Sequence, residues 1–151
     1  MSEWSTYQLD EVYNFASGLS KNRKEFGFGF PFLSFKEVFN SYFLPKTLAN
    51  LANTTEQERQ RCSIKRGDVF LTRTSETQEE LGMSCVALKD YPEATFNGFT
   101  KRLRPNGLVK AHPEYAGYYF RSPLFRATIT SMASMTTRAS LTTGCGFSLL
   151  G

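Results

Sequence analysis

Asp68, Glu76, Glu79 and Glu80 stand close along the chain, and grouped carboxylates are what metal-dependent hydrolysis requires. Glu76 to Glu80, however, fall in a polar stretch between two apolar runs, where a solvated loop accounts for them without any metal. The single histidine, His112, directly precedes Pro113 and has no serine or cysteine motif of the nucleophile-elbow kind nearby. Gly27-Phe28-Gly29 lacks the third glycine and the preceding strand of a phosphate-binding loop. Cys62, Cys85 and Cys145 are odd in number and widely separated, which disfavours a disulfide framework and points to a reducing cytoplasm. With one histidine and no paired cysteines, a zinc site is not expected either. These residues predict no catalytic centre, no metal and no cofactor. A small nuclease using Asp68 with Glu76 or Glu80 stays open as a reading, and metal-dependent cleavage by the pure protein would identify it.

Residues suited to a polyanion are better supplied. Affinity for nucleic acid needs Lys and Arg against phosphates, and specificity needs donors and acceptors that reach base edges. Three stretches hold both kinds. The first is Ser20-Lys-Asn-Arg-Lys, contributing Lys21, Arg23 and Lys24, continued by Ser34 and Lys36. The second is Thr72, Arg73, Thr74 and Ser75 at the end of an apolar run, where Arg73 is placed to fork onto guanine or a phosphate. The third begins at Asn97, which suits adenine, and continues through Thr100, Lys101, Arg102 and Arg104. In an extended chain Lys101 and Leu103 share one face and Arg102 and Arg104 the other, so at least one of those faces is expected to be exposed. The net charge of +4 is unevenly spread. Residues 1–93 carry 11 Lys/Arg against 13 Asp/Glu, whereas residues 94–151 carry 7 against Glu114 alone, a net of +6. That bias fits a face turned to a polyanion, and equally a solvated basic surface.

The elements that must position these groups fit one domain of 151 residues. Hydrophobic residues at 40% and charged residues at 21% match globular usage, and the 14 Phe can fill a core while leaving some rings outside as stacking or wedging groups. No run approaches the length of a membrane span, and Met1-Ser-Glu-Trp-Ser has no signal-peptide character. Leu9, Val12 and Tyr13 recur at helical spacing, predicting a short helix within Trp4 to Phe15. Residues 16–29 read as a loop, and Phe30 to Phe35 as a strand with Pro31 at its start or at a sheet edge. Asn53 to Cys62 reads as an exposed helix with a Thr cap. Lys65-Arg-Gly-Asp turns into a strand over Val69 to Thr74, and Met83 to Leu88 and Ala94 to Arg104 give two more. Pro113 and Pro123 open two helices, the second with Phe125, Ile129, Met132 and Ala133 on one apolar face. The fold class is therefore α+β, a small, mainly antiparallel sheet with peripheral helices.

Six pieces stand in a recognisable order. They are Trp4-Ser-Thr-Tyr-Gln-Leu-Asp-Glu-Val followed by Gly18; Ile64-Lys-Arg-Gly-Asp-Val-Phe-Leu-Thr-Arg-Thr-Ser; Gly82-Met-Ser-Cys-Val; Phe99-Thr-Lys-Arg-Leu-Arg-Pro; Pro113 to Arg126; and Met135-Thr-Thr-Arg-Ala-Ser-Leu, which adds Arg138. Together they resemble the target recognition domain of type I restriction–modification specificity (S) subunits over residues 4–141. Asp10 replaces the glycine usual in that family's opening motif, while Gly18 keeps the later one.

The resemblance implies non-catalytic reading of one half of a split double-stranded DNA target, with no cofactor. It implies as partners a second recognition domain of the full-length subunit, methyltransferase (M) subunits that flip and methylate the base, and restriction (R) subunits. The target recognition domain is expected over residues 1–141, with 142–151 a truncated or non-native tail, because the family continues there into Pro-Leu-Pro and a long helix. The recognition domain of a single-chain restriction–methyltransferase shares this architecture. Spacer helices, or an Asn-Pro-Pro-Tyr-type motif in neighbouring sequence, would separate the two. A protein-interaction module whose basic half meets an acidic partner is the third alternative.

Overall fold

A computed structural model of the protein describes residues 4–72, 74–75, 82–107, 112–132, 139–140 and 146–150. The chain opens with β1 (Trp4–Gln8), a single helical turn α1 (Leu9–Val12) and β2 (Tyr13–Ser17). A 3₁₀ turn (Arg23–Glu25) leads into β3 (Phe26–Leu33), α2 (Phe35–Asn40), β4 (Asn50–Ala52) and α3 (Glu56–Arg61). Strands β5 (Val69–Thr72), β6 (Thr74–Ser75), β7 (Ser84–Val86), β8 (Thr95–Phe96) and β9 (Thr100–Pro105) follow. Helices α4 (Pro113–Tyr119) and α5 (Pro123–Met132) come next, then β10 (Ala139–Ser140) and β11 (Gly146–Leu150). The class is α+β, as expected from the sequence. Among the described residues no helix is long and apolar enough to cross a membrane.

The centre is an antiparallel sheet in the order β2-β9-β5-β7. Its strand β5 is buried at every position, because both faces of the sheet are covered. Val69 and Leu71 point into a cluster with Tyr13, Leu103, Phe120 and Phe125, beneath α4 and α5. Phe70, between them, points the other way and meets Leu33, Cys85 and Phe96. That second layer is the sheet β4-β3-β8, in which β3 runs parallel to β8. Ring pairs tie each layer, Phe120 with Phe125 at 4.8 Å on one side and Phe70 with Phe96 at 5.1 Å on the other.

Local signals explain where helices start. Thr55 caps α3 and Ser34 caps α2, each in a reciprocal capping box with a glutamate three residues on, Glu58 and Glu37. Pro113 occupies the first turn of α4, and the Ser122 hydroxyl accepts from the Phe125 amide at the start of α5.

Three expectations need correction. The helix anticipated within Trp4 to Phe15 shrinks to α1, because Tyr13–Ser17 pairs with Lys101–Pro105 and that distant pairing outweighs the helical spacing. The strand anticipated from Phe30 begins at Phe26, with a register irregularity between Phe26 and Phe30, and ends at Leu33, where Ser34 caps α2. The strand anticipated over 94–104 is two strands, broken at Asn97 to Phe99 by a turn closed from the Thr100 amide to the Asn97 carbonyl at 3.3 Å. The side chains of Ile129 and Met132, and Ala133 altogether, lie outside the described residues; Phe125 of that anticipated apolar face is in the core.

The turn before β5 contains a wholly buried carboxylate, Asp68. Its Oδ2 accepts from the Lys65 amide at 2.8 Å, and the Arg104 guanidinium grips both oxygens at 2.8 and 2.7 Å. Gly67 supplies the positive φ of 93° that the turn requires. Asp68→Ala should lower the free energy of unfolding by about 3–5 kcal/mol, the usual cost of breaking one side of a buried pair, and adding Arg104→Met should return part of it. Urea melts of the two variants decide the point, and an unchanged midpoint for Asp68→Ala would remove the pair from any structural role. Burial also pushes the Cys85 thiol up to about 12 and the Cys62 thiol upward. Both groups should therefore stay protonated at pH 8 and resist iodoacetamide until denaturant is added, as peptide mass mapping would record.

Candidate nucleic-acid interface

The topology brings the three polar stretches to one end of the central sheet. Ser17 at the end of β2 pairs with Lys101, Lys101 pairs with Leu71, and Thr100 pairs with Thr72. The end of β2, the start of β9 and the end of β5 therefore lie side by side. Leu19 then bridges to Asn97, its amide donating to the Phe96 carbonyl at 2.8 Å. Two glycines let these loops interlock. A Cβ at Gly18 would collide with the Asn97 carbonyl, and one at Gly98 would come within 2.7 Å of the Ser20 hydroxyl. Beyond β5, Thr74 and Ser75 pair with Ser140 and Ala139, which carries the chain that follows Arg138 toward the same strand end. Arg73 and Arg138 themselves, and the side chains of Thr74 and Ser75, lie outside the described residues.

The side chains at this end divide into exposed and engaged. Arg23 and Lys24 are exposed on the 3₁₀ turn, and Lys36 is exposed on α2. Lys101 is half-buried, its ammonium 5.8 Å from the centre of the Phe15 ring. Lys21 is paired with Glu58 at 2.9 Å. Hydrogen bonds from the Thr55 amide and from Lys21 hold the Glu58 carboxyl below the usual carboxylate range.

Several residues read as DNA contacts are instead used within the fold. Ser34 caps α2. The Thr72 hydroxyl, buried, accepts from the Met83 amide at 2.9 Å. Asn97 is only 5% exposed, with Nδ2 donating to the Leu33 carbonyl and Oδ1 accepting from the Phe99 amide and the Thr100 hydroxyl. Its amide edges are occupied, so it does not present them to adenine, and Thr100 is buried with it. Arg102 lies with its guanidinium 5.6 Å from the Phe96 ring and donates to the carbonyls of Arg61 and Ser63. Arg104 grips Asp68 and Ser63. Both faces of β9 are thus largely covered, and its two arginines hold structure together.

The same holds for the basic excess of residues 94–151. Arg121 donates to four carbonyls, those of Ser84, Val38, Phe39 and Ser41, at 2.8 to 3.0 Å. It thereby closes the C-terminal end of α2 against β7. Arg126 is half-buried, and desolvation lowers its pKa. Among the described residues, the exposed cations near the converging loops come from the first half of the chain, Arg23, Lys24 and Lys36, with the half-buried Lys101 the contribution of the second. Among the described residues the charge asymmetry along the sequence is therefore not a map of the surface, and Lys110 and Arg138 lie outside them.

Among the described residues four aromatic side chains are exposed, Phe28 at 52%, Tyr42 at 47%, Phe99 at 57% and Tyr118 at 63%, and sequence reasoning assigned none of them a role. The Asn97-Gly98 pair, a turn signal, was the available pointer for Phe99. Asp68, proposed as half of a nuclease centre, is sealed by Arg104 and the Lys65 amide, which closes that alternative's metal site at its first ligand. Glu76, Glu79 and Glu80 lie outside the described residues.

This arrangement defines a domain with a closed, ion-paired turn at one end of its sheet and polar loops gathered at the other. Its fold is that of type I restriction–modification specificity (S) subunits. The S subunit of a type I restriction–modification system from M. genitalium superposes with a TM-score of 0.62 at 8% identity, covering 99% of this chain and 35% of its own. A chain from a structure describing complex assembly and conformational transition of the type I R–M system gives 0.61 at 17% identity, covering 97% of this chain and 34% of its own. The HsdS subunit from Thermoanaerobacter tengcongensis gives 0.60 at 19% identity, covering 91% and 33%. This chain thus spans about a third of the length of these solved chains. No protein-family model matches it, and no curated protein sequence does.

Gly18→Ala tests the interlock directly. Because the added methyl group meets backbone rather than a movable side chain, about 1–3 kcal/mol of stability should be lost. Thermal unfolding measures this, and an unchanged melting temperature would mean that the two loops are not held against each other.

Proposed function

We propose that this chain is a target recognition domain that reads double-stranded DNA for a type I restriction–modification system, with no catalysis of its own. The observation that carries the reading is the gathering of the three polar stretches at one end of a sheet whose fold is shared with S subunits. In this reading Arg23, Lys24, Lys36 and Lys101 meet phosphates, and base readout falls to Arg73 and the neighbouring Thr74 and Ser75 at the end of β5. The domain would read one half of a bipartite target in the cytoplasm. The other half would fall to a second recognition domain, with M subunits methylating and R subunits cleaving. Asp68, the nearest candidate for an acid of a hydrolytic centre, is committed to Arg104, which favours binding over chemistry.

Binding by phosphate contacts releases counterions, so log K should fall linearly with log salt. Four contacting cations give a slope of about −3.6. The pair Arg23→Ala with Lys24→Ala should make that slope shallower by about 2 while leaving the melting temperature unchanged. Arg102→Ala should do the reverse, because its guanidinium holds the carbonyls of Arg61 and Ser63. Anisotropy titrations of a labelled random-sequence duplex measure this. No binding at about 50 mM salt, or affinity indifferent to salt, would overturn the reading.

A further inference from the structure

Phe99 presents its ring to solvent from a firmly anchored turn at the polar end of the sheet. The Asn97 side chain, buried beneath the turn, donates to the Leu33 carbonyl at 3.2 Å and accepts from the Phe99 amide at 2.9 Å and the Thr100 hydroxyl at 3.0 Å. The Asn97 backbone amide adds a bond to the Leu33 carbonyl at 3.1 Å. Gly98 fits against Ser20 and Leu19 with no room for a side chain to spare. The backbone on both sides of the ring is therefore fixed to the second sheet layer, while the ring itself is 57% exposed.

Single exposed rings are ordinary on protein surfaces. The backbone that carries Phe99 is held in advance, which removes the backbone part of the ordering cost of using the ring in a contact. Its surroundings indicate the kind of contact. Lys101 follows two residues on, and Ser20 of the loop that carries Arg23 and Lys24 abuts Gly98. The carboxylates of that loop system are engaged, Glu58 by Lys21 and Glu25 by the Asn53 amide group. A ring on a fixed backbone, among phosphate-seeking cations, is suited to stack on bases or wedge between base steps.

We propose that Phe99 makes an apolar contact with a base step of duplex DNA, stacking on it or wedging into it, as a positioning residue for recognition; the inference rests on the DNA reading above. The probe is a fluorescein-labelled duplex with a randomised centre, titrated with the full chain at about 50 mM salt. Phe99→Ala should weaken binding about tenfold, the order expected for one lost stacking contact, without altering the salt slope. Phe99→Trp should bind as the unaltered chain does, and its emission should be quenched on adding duplex; the unaltered chain, with Trp4 alone, supplies the background. Should Phe99→Ala also melt early, the Trp signal decides. Undiminished binding by a stable Phe99→Ala, or Trp emission indifferent to saturating duplex, would overturn the inference and leave the DNA reading standing. Absence of binding by the unaltered chain would overturn both.

Discussion

A carboxylate with no access to water needs a fixed cation and fixed donors, and Asp68 has both. The Arg104 fork and the Lys65 amide satisfy it, and its position one residue before β5 makes the arrangement a clamp on strand register. Val69 pairs with Leu103, so Asp68 and Arg104 flank that pair on adjacent antiparallel strands. A slip of one residue would send Arg104 to the face occupied by Tyr13 and Phe120, leaving two charges without partners. The same guanidinium reaches Ser63, and Arg102, on the same side of β9, reaches Arg61 and Ser63. The end of α3 is thereby held against the sheet.

What happens at the opposite end follows from this clamp. With β5 and β9 locked in register, Thr72 must meet Thr100 and Leu71 must meet Lys101, and the connections leaving those strands emerge together. At the clamp Arg102 and Arg104 face inward to carboxylate and carbonyl oxygens, while Lys65 and Arg66 of its turn are exposed. At the far end Arg23, Lys24 and Lys36 face water, Lys101 is half-buried and Lys21 is paired with Glu58. The arginines of β9 thus hold the fold, while the exposed Arg23, Lys24 and Lys36 stand on elements outside the central sheet.

The parts legible in the sequence were those with local causes. The run Val69-Phe70-Leu71-Thr72 after a basic-Gly-Asp turn announced the central strand, and the Thr55 cap and Pro113 announced two helices. The Ser34 to Glu37 capping box was equally visible, yet Ser34 was read as a DNA contact, since a hydroxyl that accepts from a helix amide is the same group that accepts from a base. β2 was missed because its partner, β9, lies far along the chain. Arg102, Arg104 and Arg121 show the deeper difficulty: the donors that suit guanidinium for phosphate suit it equally for carbonyl and carboxylate, and only the tertiary neighbourhood decides which it meets. Asn97 failed as an adenine reader for the same reason, being a turn anchor whose buried amide sets the direction of Phe99.

The pairing of β1 with β11 places Trp4 opposite Leu150. Chain entry and exit in the described strands therefore share one edge, and the intervening polypeptide forms a closed excursion from that edge. Such geometry is what makes a unit transplantable: a host protein that offers two neighbouring attachment points can receive the whole excursion without separating them. By the same logic a short linker joining these strands, with new termini cut in an exposed loop, would yield a circularly permuted protein whose sheet order and buried contacts are those of the original.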